Sequence, residues 1–153
     1  MDVIIIDFPE TKVAVVEYRG APELEYEAAK KLIAWRMEHR LSPAIHQSYG
    51  IHFDDPVTTP PERYRVDFCV SHDDEVEINS YGVVSKLIPA GRCAVVRYLG
   101  PRDNITAARE LYENWLPSSG EKLRDFPIFF HYVNVGPDIK PAEMITDVYL
   151  PLC

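Results

Sequence analysis

Short apolar runs recur along the chain, and turn-forming residues separate them. The runs are rich in Val, Ile, Tyr and Phe, which favour β-strands, while Pro, Gly, Asp and Ser lie between them. In one run, Val66, Phe68 and Val70 alternate with other side chains, as one face of a strand requires. The pattern predicts strands at 3–7, 12–19, 49–54, 64–70, 82–88, 92–99, 128–135 and 145–150.

Two further segments space their apolar residues three or four positions apart, which predicts helices. The first should begin near Pro22, a residue that the first helical turn tolerates, and end at about residue 40. The second should begin at Asp103 as N-cap and run through Trp115, and the segment 117–120 should end it. The apolar stripes are Leu24, Ala28, Leu32 and Trp35 in the first helix, and Ile105, Ala108, Leu111, Tyr112 and Trp115 in the second.

The two halves of the chain repeat one another at a constant offset of 80 residues. The segment 13–20, VAVVEYRG, returns as 93–100, CAVVRYLG. A constant period over whole supersecondary units indicates a duplicated architecture. We therefore predict one α+β domain over residues 1–153, built from strand-strand-helix-strand-strand modules at 1–73 and 81–153 with a linker near 72–80.

Charge and composition narrow the possible partners and the compartment. The formal net charge is −8, whereas proteins that bind nucleic-acid backbones usually carry a basic patch, so direct nucleic-acid binding is disfavoured. No run approaches the roughly 20 apolar residues of a membrane span. The three cysteines are odd in number and lack a CxxC spacing, which fits a reducing compartment. We expect a soluble, cytoplasmic protein with no membrane partner.

Common catalytic, cofactor and metal-binding signatures are missing from the sequence. It has no GxSxG, HExxH, P-loop or GxGxxG motif, and its five histidines show no metal-ligand spacing. The prediction is therefore no catalytic residue, no cofactor and no metal site.

Aromatic residues are the candidates for ligand binding. Two tryptophans and two tyrosines pair at the offset of 80, and a pseudo-twofold arrangement of the modules would bring each pair to one groove. Two more aromatic residues share one face of the strand at 128–135 by alternation. Aromatic side chains at these spacings also suit a core, and both interpretations stay open. The predicted ligand-binding residues are Tyr18, Trp35, Tyr98, Trp115, Phe130 and Tyr132.

Asp67 and Asp147 place a carboxylate at the same position of an apolar strand in each module. A buried carboxylate must be paired or hydrogen-bonded. One interpretation is a structural acceptor for loop N–H groups or for an arginine such as Arg65. The other is a carboxylate at the groove between the modules.

Two segments resemble a known family. YGIHFDDP at 49–56 with TPPERYRVDFCV at 59–70, and the closing DVYLPL at 147–152, are similar to the signature of GyrI-like proteins. That family includes a DNA gyrase inhibitor and the effector-binding domains of multidrug-sensing regulators. The resemblance covers essentially the whole chain. It implies two pseudo-symmetric α+β modules, an antiparallel sheet with two helices around a central cleft, and small-molecule binding.

One departure from the family pattern bears on function. Many members keep a glutamate in the next-to-last strand, where it meets cationic drugs or acts as acid or base in members that hydrolyse small electrophiles. Aligned by Pro127 and Tyr132, that position is Phe130 here. A phenyl ring supplies neither a counter-charge nor a proton-transfer group.

The sequence accordingly favours a binding protein over an enzyme. Since the first predicted strand begins at Val3, we expect a stand-alone module that binds a small apolar or aromatic drug or toxin. One alternative is a modulator of DNA gyrase that acts by protein contact. A second alternative, less favoured, is a small-electrophile hydrolase that uses Asp67 or Asp147.

Overall fold

The computed structural model of the chain describes residues 1–103 and 105–153. Its strands pair antiparallel and helices lie between them along the chain, so the predicted α+β class is confirmed. The elements are β1 Ile4–Phe8, β2 Thr11–Arg19, α1 Glu25–Glu38, β3 Ser48–His52, β4 Arg65–Ser71, β5 Val84–Ile88, β6 Gly91–Leu99, α2 Ala107–Glu110, α3 Leu116–Ser119, β7 Phe129–Tyr132 and β8 Ile145–Pro151.

The described residues form two compact units that have the same strand order. The first unit is Thr11–Ile88, with its strands in the order β3-β4-β2-β5. The second unit combines Met1–Glu10 with Pro89–Cys153, and its order is β7-β8-β6-β1. Because β5 corresponds to β1 at the offset of 80, the two orders are equivalent. The repeat in the sequence is therefore a repeat of structure.

Each unit takes one strand from the other half of the sequence. Only two residues separate β1 from β2, yet β1 pairs with β6, with Ile4 opposite Val95. β5 likewise pairs with β2, although β6 follows it in the chain. Pro9 and Pro89, which open the two connections, explain this arrangement. A tight two-residue hairpin needs a positive φ at that position, and proline fixes φ near −65°.

In the first unit, α1 packs on one face of the sheet. Its buried residues, Ala28, Leu32 and Trp35, recur every three or four positions as the sequence pattern predicts. They share one core cluster with Ala14 and Val16 of β2. Alternate residues of β2 and β4 consequently point to the opposite face of the sheet.

The second helical segment differs from its prediction at both ends. It begins at Ala107, not after Asp103, and Asn104, its first predicted residue, lies outside the described residues. It also continues beyond Trp115 through a π-helical turn at Leu111–Trp115 into α3, and Gly120 ends it at φ +76°. A proline in a regular α-helix clashes with the carbonyl four residues earlier. The wider π turn opens the hydrogen-bond ladder ahead of Pro117, so the helix passes the residue that was expected to end it.

The strand predicted at 128–135 spans only Phe129–Tyr132. It ends there because the Asn134 side chain makes hydrogen bonds in place of the backbone groups of a continuing strand. The Ile145 N–H donates to the Asn134 side-chain oxygen at 2.8 Å, and the Asn134 amide donates to the Glu143 carbonyl at 2.8 Å. Side-chain hydrogen bonds of this kind end strands in favour of turns.

Candidate ligand-binding site

Four of the six predicted ligand-binding residues lie in the second unit and join one apolar cluster. Tyr98 comes from β6, Trp115 from the π turn, and Phe130 and Tyr132 from β7. Phe130 is buried, with 8% of its surface exposed, while the other three side chains are partly exposed. We call these four residues the aromatic cluster.

Strand alternation and the π turn together position the aromatic cluster. Phe130 and Tyr132 lie on the same face of β7, with ring centroids 6.5 Å apart and planes at 85°. This edge-to-face arrangement is favourable for aromatic rings. Leu111 of the π turn and Val148 of β8, both fully buried, complete the cluster beneath them. An apolar floor with partly exposed aromatic rings is typical of small-molecule pockets.

The alternate aromatic residues of β7 serve the core. Phe129 is fully buried and stacks on Tyr149, with centroids 4.9 Å apart and planes at 4°. Phe8 of β1 meets the Phe129 ring edge-on at 5.0 Å. The Phe8 ring thus anchors β1, the strand that comes from the other half of the sequence, on the sheet face away from the aromatic cluster.

The other two predicted residues, Tyr18 and Trp35, lie in the core cluster of the first unit. Trp35 is 2% exposed and stacks on His39 with centroids 4.2 Å apart. The Tyr18 hydroxyl donates to the Ala21 carbonyl at 2.5 Å, which fixes the turn into α1. A ligand would reach the Trp35 ring only by displacing existing contacts, whereas the Tyr18 ring is partly exposed.

Arg102 is the residue of this site that the sequence analysis missed. Its guanidinium carbon lies 5.1 Å from the centroid of the Tyr132 ring, within the range of a cation–π contact. Its Nε donates to the Thr146 hydroxyl at 2.9 Å, and its Nη2 donates to the Asn134 and Ile145 carbonyls at 2.9 and 2.7 Å. At the offset of 80, Arg102 corresponds to Pro22, and this asymmetry of the repeat was the signal that could have found it.

Asp67 is a structural ion-pair residue, and its expected partner was wrong. Asp67 is fully buried, and it receives hydrogen bonds from Arg19 at 3.2 Å and Lys86 at 2.8 Å. Arg65 instead pairs with Asp54 at 2.9 and 3.0 Å. Asp67 lies on the sheet face opposite α1, since its strand neighbours Phe68 and Val70 belong to the helix-side cluster.

Asp147 has an equivalent structural role in the second unit. The Arg97 guanidinium donates two hydrogen bonds to the Asp147 carboxylate, at 2.8 and 3.0 Å, which is the strong bidentate geometry. Its neighbour Val148 belongs to the aromatic-cluster side, so Asp147 points to the other face of the sheet. Asp147 therefore lies on the sheet face away from the aromatic cluster, as Asp67 lies on the face away from α1.

Two open depressions lie in the first unit. The residues that line them include none of the six predicted ligand-binding residues. One, of about 360 Å³, follows the segment 75–79 and the start of β5. The other, of about 610 Å³, lies between Arg19, Asp54 and the turn at 58–65. The second depression is lined mainly by charged and polar side chains, which does not match the largely apolar lining of typical ligand pockets.

Within residues 1–103 and 105–153, no three or more His, Cys, Asp or Glu side chains are grouped so as to hold a metal ion. No helix in the same ranges has the length and apolarity needed to cross a membrane.

The fold defines a class of α+β domain with an antiparallel sheet, and comparison with known proteins identifies the family. The model of the GyrI-like small molecule binding domain matches residues 1–152. The chain belongs to this GyrI-like family, so the resemblance read from the sequence is confirmed.

Relatives and solved structures agree with this membership. The probable transcriptional regulator YgiV of Escherichia coli strain K12 is 43% identical over 99% of this chain and 96% of its own length. A DNA gyrase inhibitor of Erwinia billingiae is 26% identical, covering 99% of this chain and 97% of the relative. The crystal structure of the EcmrR C-terminal domain has the same fold, with a TM-score of 0.77, 18% identity, and coverage of 99% and 97% of the two chains.

Proposed function

We propose that the chain binds a small apolar or aromatic molecule against the aromatic cluster, and thereby senses or sequesters a drug or toxin. The observation that carries this proposal is the convergence of Tyr98, Trp115, Phe130 and Tyr132 on one cluster with three partly exposed rings. Membership of a family of small-molecule-binding domains supports it.

The chemistry at position 130 supports an apolar ligand in particular. Phe130 contributes a buried ring at the position where the family resemblance implies a glutamate, and it packs among aliphatic residues such as Leu111. A ligand held here gains from apolar contact, at roughly 25 cal/mol for each Å² removed from water. Tyr98 and Tyr132 add hydroxyl groups that can orient it.

Equilibrium binding with a matched pair of variants tests the proposal. Thermal-shift screening with neutral aromatic compounds and lipophilic cations would select a ligand, and calorimetry would give its affinity. Tyr132→Ala should weaken binding by about ten-fold or more, as truncation of a buried aromatic anchor usually does. Tyr26→Ala, which removes an exposed tyrosine of α1, should leave the affinity unchanged. A screen without any stabilising compound would argue against the proposed function.

The charge preference of the site provides a second test. Phe130→Glu places a carboxylate in the apolar cluster, where a low local dielectric strengthens its attraction for a cation. We expect the affinity for lipophilic cations to rise relative to neutral compounds of the same shape. An unchanged preference would show that position 130 does not face the ligand.

A second candidate function is modulation of DNA gyrase by protein contact. The observation that favours it is the 26% identity to a DNA gyrase inhibitor over almost the full length of both chains. A supercoiling assay with purified protein would test it. We expect inhibition that increases with protein concentration, and undisturbed supercoiling at large molar excess would exclude this function.

A further inference from the structure

We propose that the ligand of the aromatic cluster is an aromatic carboxylate, and that the Arg102 guanidinium binds its carboxylate group. This inference rests on the proposed function, because it assigns a chemical class to the ligand of the same site. A site with this arginine would prefer an anionic ligand, whereas a glutamate at position 130 would give a preference for a cation.

The hydrogen bonds of Arg102 leave one edge of its guanidinium available. An arginine side chain has five N–H donors arranged in a planar fork. Nε donates to Thr146, and Nη2 donates to Asn134 and Ile145. The Nη1 group makes no hydrogen bond to any residue that the structure describes. Two donors therefore point from a side chain that is fixed by its other contacts, which is a pre-organised arrangement for an acceptor.

Within residues 1–103 and 105–153, no carboxylate pairs with Arg102 to balance its charge. Its acceptors are one hydroxyl, two backbone carbonyls and one amide oxygen, all of them neutral. Burial lowers the pKa of its guanidinium, as expected for a cation that is removed from water without a counter-ion, although arginine stays protonated at neutral pH. A ligand carboxylate would supply the missing negative charge.

Neighbouring titratable groups do not replace such an anion. His131, adjacent in sequence to Tyr132, has its pKa lowered by burial, which favours its neutral form. Asp147, the carboxylate that acts on His131, is held by Arg97 through two hydrogen bonds on the other face of the sheet. The positive charge beside the Tyr132 ring is thus the local charge that a ligand meets.

Arg102 also provides the geometry for an aromatic acid. Its guanidinium carbon is 5.1 Å from the centroid of the partly exposed Tyr132 ring, so an aromatic acid bound to Nη1 would be within reach of that ring. Guanidinium groups bind carboxylates with charge-assisted hydrogen bonds, which are roughly twice as strong as neutral ones. The net charge of −8 opposes an anion only weakly, since exposed charges are screened beyond about 8 Å at physiological salt.

Calorimetry with 2-naphthoate, 2-naphthamide and 2-naphthylmethylammonium tests the inference, because these compounds share one ring system and differ in charge. We expect the carboxylate to bind roughly ten-fold or more tightly than the amide, and the ammonium to bind most weakly. Binding of the amide or the ammonium as tight as that of the carboxylate would overturn the inference while leaving the proposed function intact. Failure of all three compounds to bind would overturn both.

Three variants locate the effect at Arg102. Arg102→Met should remove the preference for the carboxylate and keep the affinity for 2-naphthamide, and Arg102→Lys should retain part of the preference. Arg97→Met removes a cation of the same unit that is already paired with Asp147, and it should leave the order of affinities unchanged. A preference that survives in Arg102→Met would overturn the assignment. If that variant does not fold by circular dichroism, the Arg102→Lys comparison decides: full retention of the preference with an unchanged affinity for all three compounds would overturn it.

Discussion

Asp67 belongs to a network of charged side chains in the first unit. It is fully buried, and its two oxygens are taken up separately by Arg19 and Lys86. Lys86 also donates to Glu17 at 2.6 Å, and the pKa of Glu17 is lowered, chiefly by that hydrogen bond. Removing one member of such a network destabilises the folded state strongly, because the remaining buried charges lose their partner.

Asp67→Asn should therefore destabilise the protein by about 3 kcal/mol, the lower end for a broken buried pair, since both cations are partly exposed. Urea denaturation at pH 7 would measure the change. Asp147→Asn is the matched control, because its partner Arg97 is more than half exposed, and we expect a loss of about 1 kcal/mol or less. Equal losses in the two variants would contradict this account.

We expect the His52 imidazole to make the stability of the protein depend on pH. Burial lowers the pKa of its imidazole to about 4, against an ordinary value near 6.5. Below pH 6.5 the unfolded chain therefore binds a proton that the folded chain does not bind, and stability falls as the pH drops from 6.5 towards 4. The loss should be about 2 to 3 kcal/mol, and His52→Gln should reduce it in urea titrations at pH 7 and pH 4.5. An identical pH dependence in the variant would show that other groups cause it.

At this scale, the sequence predicted residue types better than partners. Strand alternation is local, so it placed Phe130 and Tyr132 on one face of β7, and the offset of 80 singled out Tyr98 and Trp115. The sequence did not give the clustering of these four residues within one unit. Arg102 was missed because its acceptors, Asn134, Ile145 and Thr146, lie more than 30 residues away in the chain. Arg65 was assigned to the wrong carboxylate for the same reason, since spacing along one strand does not give the register with the next.

At the scale of elements, the second helical segment shows how a local exception changes the structure. The π turn carries Trp115 into the aromatic cluster and lets the chain pass Pro117. The sequence predicted the apolar stripe of this helix but not its extent, because a proline is ordinarily a stop signal. Gly120, which follows α3, ends the helix.

Gly120→Ala should cost about 1 kcal/mol, because a residue with a Cβ is strained at φ +76°. None of the described residues beyond its chain neighbours has an atom within 4 Å of the position that a Cβ would take, so the effect would come from backbone conformation alone. Gly120→Asn should cost less, since asparagine tolerates the left-handed region. Equal stability of the Ala and Asn variants by thermal unfolding would exclude this explanation.

At the scale of the whole molecule, the exchange of β1 and β5 makes the two halves of the sequence interdependent. The repeat was visible in the sequence, but the exchange was not, because it depends on which distant strand each edge strand joins. Pro9 and Pro89 were the local signal, since each one prevents a tight hairpin between the strands that it connects.

Fragments 1–80 and 81–153 should therefore fold together and not separately. The first lacks β5, which completes the sheet of the first unit, and the second lacks β1, which completes the other sheet. We expect each fragment alone to show weak near-ultraviolet circular dichroism, and a 1:1 mixture to recover the signal of the intact chain. Independent folding of the two fragments would contradict the view that the exchange of β1 and β5 is needed for stability.

The most direct test of the central claim uses the two tryptophans as reporters of ligand binding. Trp115 is partly exposed in the aromatic cluster, whereas Trp35 is 2% exposed in the core of the first unit. Titration of 2-naphthamide should change the Trp115 emission of the Trp35→Phe variant, with saturation at the affinity found by calorimetry for the same variant. Calorimetric binding that leaves the Trp115 emission unchanged would contradict a ligand site at the aromatic cluster.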